Sequence, residues 1–266
     1  MKLFISADIE GTAGITHWDE TIYGREGYDV YRRQMTREVA AVCEAAFAID
    51  PDAQIVIKDA HDSARNLLTD ELPEGVRIFR GWAKHPFCMM FGLDESFDAA
   101  VLTGNHNAAG TNTNPLSHTM DTRAAKVTLN GELCSEALIN SLTASYLGVP
   151  VVLLTGDRGV CERMAQKNPA LRTVAVSEGT GSGSMSLHPR TAVETIRAAA
   201  KEALQGDLRA CLLPLPEQFR MEVSYIKHHE AYSASFYPGA EQIDEKTVTY
   251  RAADWMDVLR FIHFAL

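Results

Sequence analysis

The chain has 266 residues, 46% of them hydrophobic, enough to bury a large core; the length suits one big α/β domain or two small ones, and one is expected. A net charge of −10, with no dense run of Lys and Arg, excludes the basic footprint that a nucleic acid or an anionic membrane requires. It leaves small or cationic ligands, and no stretch approaches the roughly eighteen apolar residues of a membrane-spanning helix.

Met1 to Ser6 carries one lysine and reaches Asp8 too early for a secretory signal, so the mature chain is expected to begin here and to be soluble and cytoplasmic. Leu3 to Ala7 reads as a buried strand, followed by a helix from about Tyr31 through Phe47. Gln54 to Lys58 and Ala99 to Thr103 are β-rich runs closed by Asp59 and Gly104. A helix is predicted over Ser135 to Tyr146, stopped by Gly148, and a strand over Val149 to Leu154. Helices at about Gly159 to Lys167 and Pro189 to Leu204 flank a strand over Arg172 to Val176; proline suits the first helical turn because its missing N–H has no partner there.

Strands interleaved with helices predict a three-layer α/β/α fold with a mainly parallel, mixed sheet. The whole chain, 1–266, reads as a single α/β metallohydrolase domain with an extension from about 215. There Met221 to Ile226 and Lys246 to Tyr250 are strand-like and Asp254 to Phe264 is helical, either extending the sheet or pairing with another subunit. Glu178 to Ser184 is the one low-complexity stretch. It lacks the Gly-Lys-Ser/Thr ending of a phosphate loop and is expected to be a mobile loop. Five cysteines, Cys43, Cys88, Cys134, Cys161 and Cys211, form no Cys-x-x-Cys pair and read as reduced, small buried hydrophobes.

Chemistry-bearing side chains fall at the carboxyl ends of these strands, the edge where open α/β sheets bind ligands. Asp8 and Glu10 follow the first, His61 the second, and His106 follows Leu102-Thr103-Gly104. Should the first strand continue through Asp8 and Glu10, their carboxylates share one side. Two carboxylates and two imidazoles suit Zn²⁺, and also Mn²⁺, Fe²⁺ or Co²⁺. Each alone has a plain structural reading, as a turn residue, a helix cap or a hydrogen-bonded core histidine. Asp59, Asn66 and Asn105 flank the ligands and either orient them or sit in solvent; Arg65 is a candidate for a substrate carboxylate or a structural ion pair. His228-His229, if on a strand, point to opposite faces and make a poor metal pair.

The segments Ser6-Ala7-Asp8-Ile9-Glu10-Gly11-Thr12-Ala13-Gly14, Lys58-Asp59-Ala60-His61-Asp62-Ser63-Ala64-Arg65-Asn66 and Gly104-Asn105-His106-Asn107-Ala108-Ala109-Gly110 resemble the DppA-like family of zinc D-aminopeptidases. Ser117-His118-Thr119, Leu129-Asn130-Gly131, Ser135-Glu136-Ala137-Leu138-Ile139-Asn140 and Gly148-Val149-Pro150-Val151 follow in that family's order, so the resemblance covers roughly residues 1 to 205.

The resemblance implies a metal-bridging aspartate at Asp8, further ligands at Glu10, His61, His106 and Glu136, and a catalytic histidine at His118, as nucleophile or as general acid or base. It supplies Glu136, which by itself reads as a helix-dipole residue. With Asp8 bridging, two Zn²⁺ per subunit would each have three protein ligands and one open position.

It further implies release of an amino-terminal D-amino acid such as D-alanine from short peptides or amides, and a ring-like homo-oligomer, a decamer in the family. Another dinuclear-metal amidohydrolase or phosphoesterase, and a non-catalytic peptide-binding homologue, are the alternatives. The chain departs from the family pattern at Val176-Ser177-Glu178, where a basic residue is usual and none follows until Arg190; a changed substrate preference or subunit contact is expected there.

Overall fold

In the computed structural model, which describes residues 1–266, the chain opens with β1 (Lys2–Ala7), α1 (Tyr28–Ile49), β2 (Gln54–Asp59), β3 (Arg77–Phe79) and β4 (Ala99–Asn105). There follow β5 (Ala124–Leu129), β6 (Glu132–Leu133), α2 (Glu136–Tyr146), β7 (Val151–Asp157), α3 (Arg158–Lys167), β8 (Arg172–Thr180), β9 (Gly183–Ser186) and α4 (Pro189–Gln205). The last third holds β10 (Phe219–Tyr225), α5 (His228–Ala234), β11 (Ala240–Gln242), β12 (Thr247–Ala252) and α6 (Trp255–Ala265).

Seven strands form one sheet in the order β3-β2-β1-β4-β7-β8-β9, parallel throughout except for the antiparallel edge strand β9. Alternation along the strands feeds two separate cores. Leu3, Ile5, Ala99 and Val101 face the core made with α1 and α4, whereas Phe4, Ala100 and Leu102 face the core made with α2, α3 and α6. The expected α/β/α layering and mainly parallel sheet are thus present.

The helix boundaries have local causes. Ser135 caps α2 by accepting from the Leu138 N–H, Asp157 caps α3 by accepting from Val160, and Pro189 opens α4. Gly148, at φ 72°, takes the left-handed conformation that lets the chain leave α2 for β7.

Three expectations need correction. The tail does not extend the main sheet: β10 and β12 join β5, β6 and β11 in a second, antiparallel sheet ordered β11-β12-β10-β5-β6. The residues that pair, such as Val127 with Val223, are too far apart in sequence for local patterning to reveal. The Gly/Ser stretch is a β8–β9 hairpin, not a mobile loop. Ser184 Oγ lies 2.6 Å from Thr16 Oγ1 and donates to the Ile15 carbonyl, and Ser186 Oγ accepts from the Gly14 N–H, so its serines dock it against the Gly11–Thr16 turn. His228 and His229 begin a short helix rather than lying on a strand; both are exposed and belong to no cluster of metal-ligating side chains.

Candidate metal centre

At the carboxyl edge of the main sheet the backbone of three segments comes unusually close. Asp8 N–H donates to the Thr103 carbonyl and Gly11 N–H to the Gly104 carbonyl. A Cβ on Gly11 would sit 1.9 Å from the Asn105 carbonyl oxygen, and one on Gly104, whose φ is +66°, would sit 2.1 Å from the Asp8 carbonyl oxygen. Only glycine allows both approaches. They set Asp8 and the His106 loop side by side.

β1 ends at Ala7, so Asp8 and Glu10 do not share a face by strand alternation. A turn closed by the Thr12 N–H on the Ile9 carbonyl brings Glu10 back toward Asp8 instead. The outcome matches the expectation although the cause differs.

His61 arrives from the loop after β2. Asp59, fully buried, accepts from the Asn66 and Leu67 N–H groups and the Asn66 amide, and that amide also donates to the His61 carbonyl. Asp59 and Asn66 therefore shape the His61 loop rather than touching an imidazole, and Asn105, also buried, donates to the Thr103 carbonyl. The ring partners are backbone carbonyls: Thr21 faces His61 Nε2 at 2.9 Å, and Asn107 faces His106 Nδ1 at 3.0 Å. No sequence signal marks them, because every residue has a carbonyl. Arg65 is exposed and lies outside both the cavity lining and every ion pair.

A carbonyl only accepts, so each of these ring nitrogens carries a proton. In the neutral rings that leaves a lone pair on His61 Nδ1 and on His106 Nε2, and both point into the carboxylate cluster. His61 Nδ1 stands 3.0 Å from Glu10 Oε1 and 3.5 Å from Asp8 Oδ1. His106 Nε2 stands 3.6 Å from Asp8 Oδ2 and 3.4 Å from Glu136 Oε1. Glu136 is the first residue of α2, and the Ser135 cap fixes its orientation.

Three groups have their ligand atoms within 4.8 Å of one another: Asp8–Glu10–His61 and Asp8–His106–Glu136, which share Asp8 through different oxygens, and Glu10–His106–His118, which lacks it. Ligands held at about 2.0–2.1 Å around a tetrahedral Zn²⁺ lie about 3.3 Å apart, which matches these spacings. Asp8 Oδ2, Glu10 Oε2 and His106 Nε2 are buried with no hydrogen-bond partner. Buried polar atoms without partners are costly, and cations between them remove that cost. The donor set fits two divalent ions.

The electrostatics agree. Burial and the neighbouring Glu10 carboxylate push the Asp8 carboxyl well above its ordinary range. Burial pushes Glu10 up too, but the His61, His106 and His118 rings outweigh it and hold Glu10 well below that range. Burial disfavours charge on His61 and His106, yet the carboxylates override it and raise both well above the usual imidazole value. The cluster demands positive charge, which protons or metal ions supply in competition.

His118 is placed differently. Its Nδ1–H donates to the Leu116 carbonyl at 2.8 Å, so the neutral ring turns the Nε2 lone pair toward the cluster, 3.6 Å from Glu136 Oε1 and 4.0 Å from Glu10 Oε1. Burial and the adjacent His106 lower its pKa, which favours that neutral base form. Trp18 packs edge-on against its other side at 5.3 Å.

The cluster opens into a cavity of about 900 Å³ walled by Trp18, Trp82, Phe91 and Met120. Trp18 and Trp82 were not singled out in the sequence; an aromatic in an otherwise polar, glycine-bearing segment such as Arg80-Gly81-Trp82 was the available signal. All five cysteines are unpaired, and four are buried. Cys88 alone is half-buried and lines the cavity. In the Val176-Ser177-Glu178 stretch, Glu178 pairs with Arg158 at 3.4 Å.

A mixed α/β sheet carrying three buried carboxylates and three imidazoles at its ligand-binding edge defines an α/β metallohydrolase. The model of the D-aminopeptidase family matches residues 1–264, and the chain belongs to that family. It is similar to the D-aminopeptidase of Bacillus subtilis (strain 168), with 28% identity over 261 residues, covering 97% of this chain and 93% of that one. A solved structure of the Zn-dependent D-aminopeptidase DppA from Bacillus subtilis, described as a self-compartmentalizing protease, superposes with a TM-score of 0.92 at 25% identity, over 100% of this chain and 98% of the other.

Proposed function

We propose that the chain is a zinc-dependent aminopeptidase that releases amino-terminal D-amino acids, such as D-alanine, from short peptides or amides. The observation that carries this reading is Asp8, whose two oxygens face separate triads across unpartnered buried atoms. Asp8, Glu10 and His61 would hold one Zn²⁺; Asp8, His106 and Glu136 would hold the other. Two such ions, when bound, polarise a peptide carbonyl and lower the pKa of water.

The chain's own groups do the rest. The Thr21 and Asn107 carbonyls accept from the far ring nitrogens of His61 and His106, which fixes the tautomers and aims the lone pairs at the carboxylates. His118 Nε2 accepts a proton at the reaction centre and returns it to the leaving amine, as general base and then acid. The walls of Trp18, Trp82 and Phe91 exclude water from one side of the substrate.

The reading extends to the whole protein. Residues 1–266 act as one unit with a C-terminal extension, supported by a core that joins the main-sheet residues Phe4 and Leu102 to Val223 and Trp255. A ring-like homo-oligomer with enclosed sites, a decamer in its fullest form, is supported by the self-compartmentalizing relative and by the exposed aromatics Tyr232, Phe236 and Phe264. A cytoplasmic setting is supported by five unpaired thiols. No helix is long and apolar enough to cross a membrane.

The test is hydrolysis of D-alanine and L-alanine anilides by the purified protein, before chelation, after chelation, and after zinc return. Turnover of the D substrate that vanishes with chelation and returns with zinc is expected. No turnover of either anilide by fully loaded protein would refute the reading.

A further inference from the structure

The cavity lining is unevenly charged. It holds five carboxylates, Asp8, Glu10, Asp62, Asp121 and Glu136, and a single Lys or Arg, Lys84. Lys84 stands on the strap from Gly81 to Cys88, which forms the wall beside the His61 loop.

That strap is held firmly. Gly81 N–H donates to the Ala64 carbonyl at 2.8 Å, and Trp82 Nε1 donates to the Asp62 carbonyl at 2.6 Å. Lys58, fully buried, donates to the Gly81 carbonyl at 3.0 Å and sits 4.1 Å from the Trp82 ring centroid. Every one of these contacts ties the start of the strap, at Gly81 and Trp82, to β2 or to the loop carrying His61, and the exposed Lys84 follows two residues on. Lys84 (φ 56°) and Cys88 (φ 45°) both adopt left-handed backbone conformations that non-glycine residues rarely take. Strain of this kind is kept where the surroundings enforce it, and it gathers at binding sites. Lys84, Cys88 and Glu136 all line the same cavity.

We propose that Lys84 is a specificity-determining residue that takes the free carboxylate at the far end of a short peptide whose amino end lies at the Asp8 cluster. A zwitterionic di- or tripeptide then meets carboxylates at one end and the lone ammonium at the other, with the apolar walls between. A point charge on a flexible stem suits chains of slightly different length. The inference rests on the aminopeptidase reading above and adds the substrate's second charged end to it.

The experiment compares kcat/KM for D-alanylglycine and D-alanylglycinamide, with D-alanine anilide as a substrate lacking any carboxylate, in the zinc-loaded wild type, Lys84→Met and Lys84→Arg. A charge-assisted contact at a partly exposed site predicts a wild-type preference for the free acid of about tenfold. Lys84→Met should bring the two substrates within about twofold of each other, and Lys84→Arg should restore most of the preference. Equal wild-type rates for acid and amide, or an undiminished preference in Lys84→Met, overturn the proposal while anilide turnover leaves the aminopeptidase reading standing. Failure to cleave all three substrates overturns both.

Discussion

The rings of His106 and His118 stack at a centroid distance of 4.0 Å and an angle of 11°, yet only the first also reaches Asp8 and only the second lines the cavity. One histidine is fully buried with an unpartnered nitrogen among carboxylates; the other keeps about an eighth of its side chain exposed. On the proposed function the first binds metal and the second transfers a proton, a division that mutation can test.

His118→Ala should keep two zinc ions per chain and lower kcat by about 10²–10⁴-fold, the usual contribution of a positioned acid or base. Elemental analysis beside steady-state kinetics checks this. Zinc loss in step with activity would place His118 among the ligands.

Asp8→Ala should lose both ions, because the residue belongs to both triads that would hold zinc, whereas His61→Ala and Glu136→Ala should each retain about one. Zinc per chain after dialysis against a weak chelator distinguishes these outcomes. Equal losses in all three variants would show that the two positions do not fill independently.

Gly104→Ala should be far more damaging than a typical surface substitution. The new methyl would meet the Asp8 carbonyl oxygen at 2.1 Å in a left-handed backbone position, so a destabilisation of about 2–4 kcal/mol and weakened zinc binding are expected. Urea unfolding with and without zinc measures both. A variant with wild-type stability and metal content would mean that the Asp8–Gly104 approach is looser than described.

Glu38 governs a pH dependence away from the metals. It is buried, accepts from the Ala13 N–H and the Gln34 amide through Oε1, and leaves Oε2 unpartnered. Burial, only partly offset by those two donors, pushes its carboxyl from 4.5 to about 7. The folded protein therefore binds a proton that the unfolded chain has released between these values. The cost of ionising it is absent below about pH 4.5, grows as the pH rises, and is complete above about pH 7, at roughly 3 kcal/mol. Glu38→Gln should gain stability relative to wild type by up to that amount between pH 5 and 8, read from urea unfolding at constant zinc. A pH-independent difference would show that the carboxyl titrates normally.

Much of the site was legible because strand ends and ligands are local features. Apolar runs closing at Ala7, Asp59 and Gly104 placed Asp8, Glu10, His61 and His106 at one edge, and parallel pairing of β1 with β2 and β4 does bring those ends together. Glu136 was legible only through the family's motif. As the opening residue of a helix it looks like any dipole-stabilising acid, and its place beside His106 depends on the β5–β6 hairpin turning the chain back.

The amino-acid sequence by itself determined the alternation of strands and helices, the glycines that permit close backbone approach, and the types of side chain available for metal. Periodicity and donor chemistry belong to short stretches of chain, so they can be read without knowing what lies opposite. The tertiary structure alone decided the partners. The second antiparallel sheet, the docking of the Gly/Ser hairpin on Thr16, the carbonyls of Thr21 and Asn107 on the imidazoles, and the lone Lys84 in an acidic cavity all join residues distant in sequence or use backbone atoms that every residue carries. Such contacts are set by how elements stack, and nothing in local sequence encodes them.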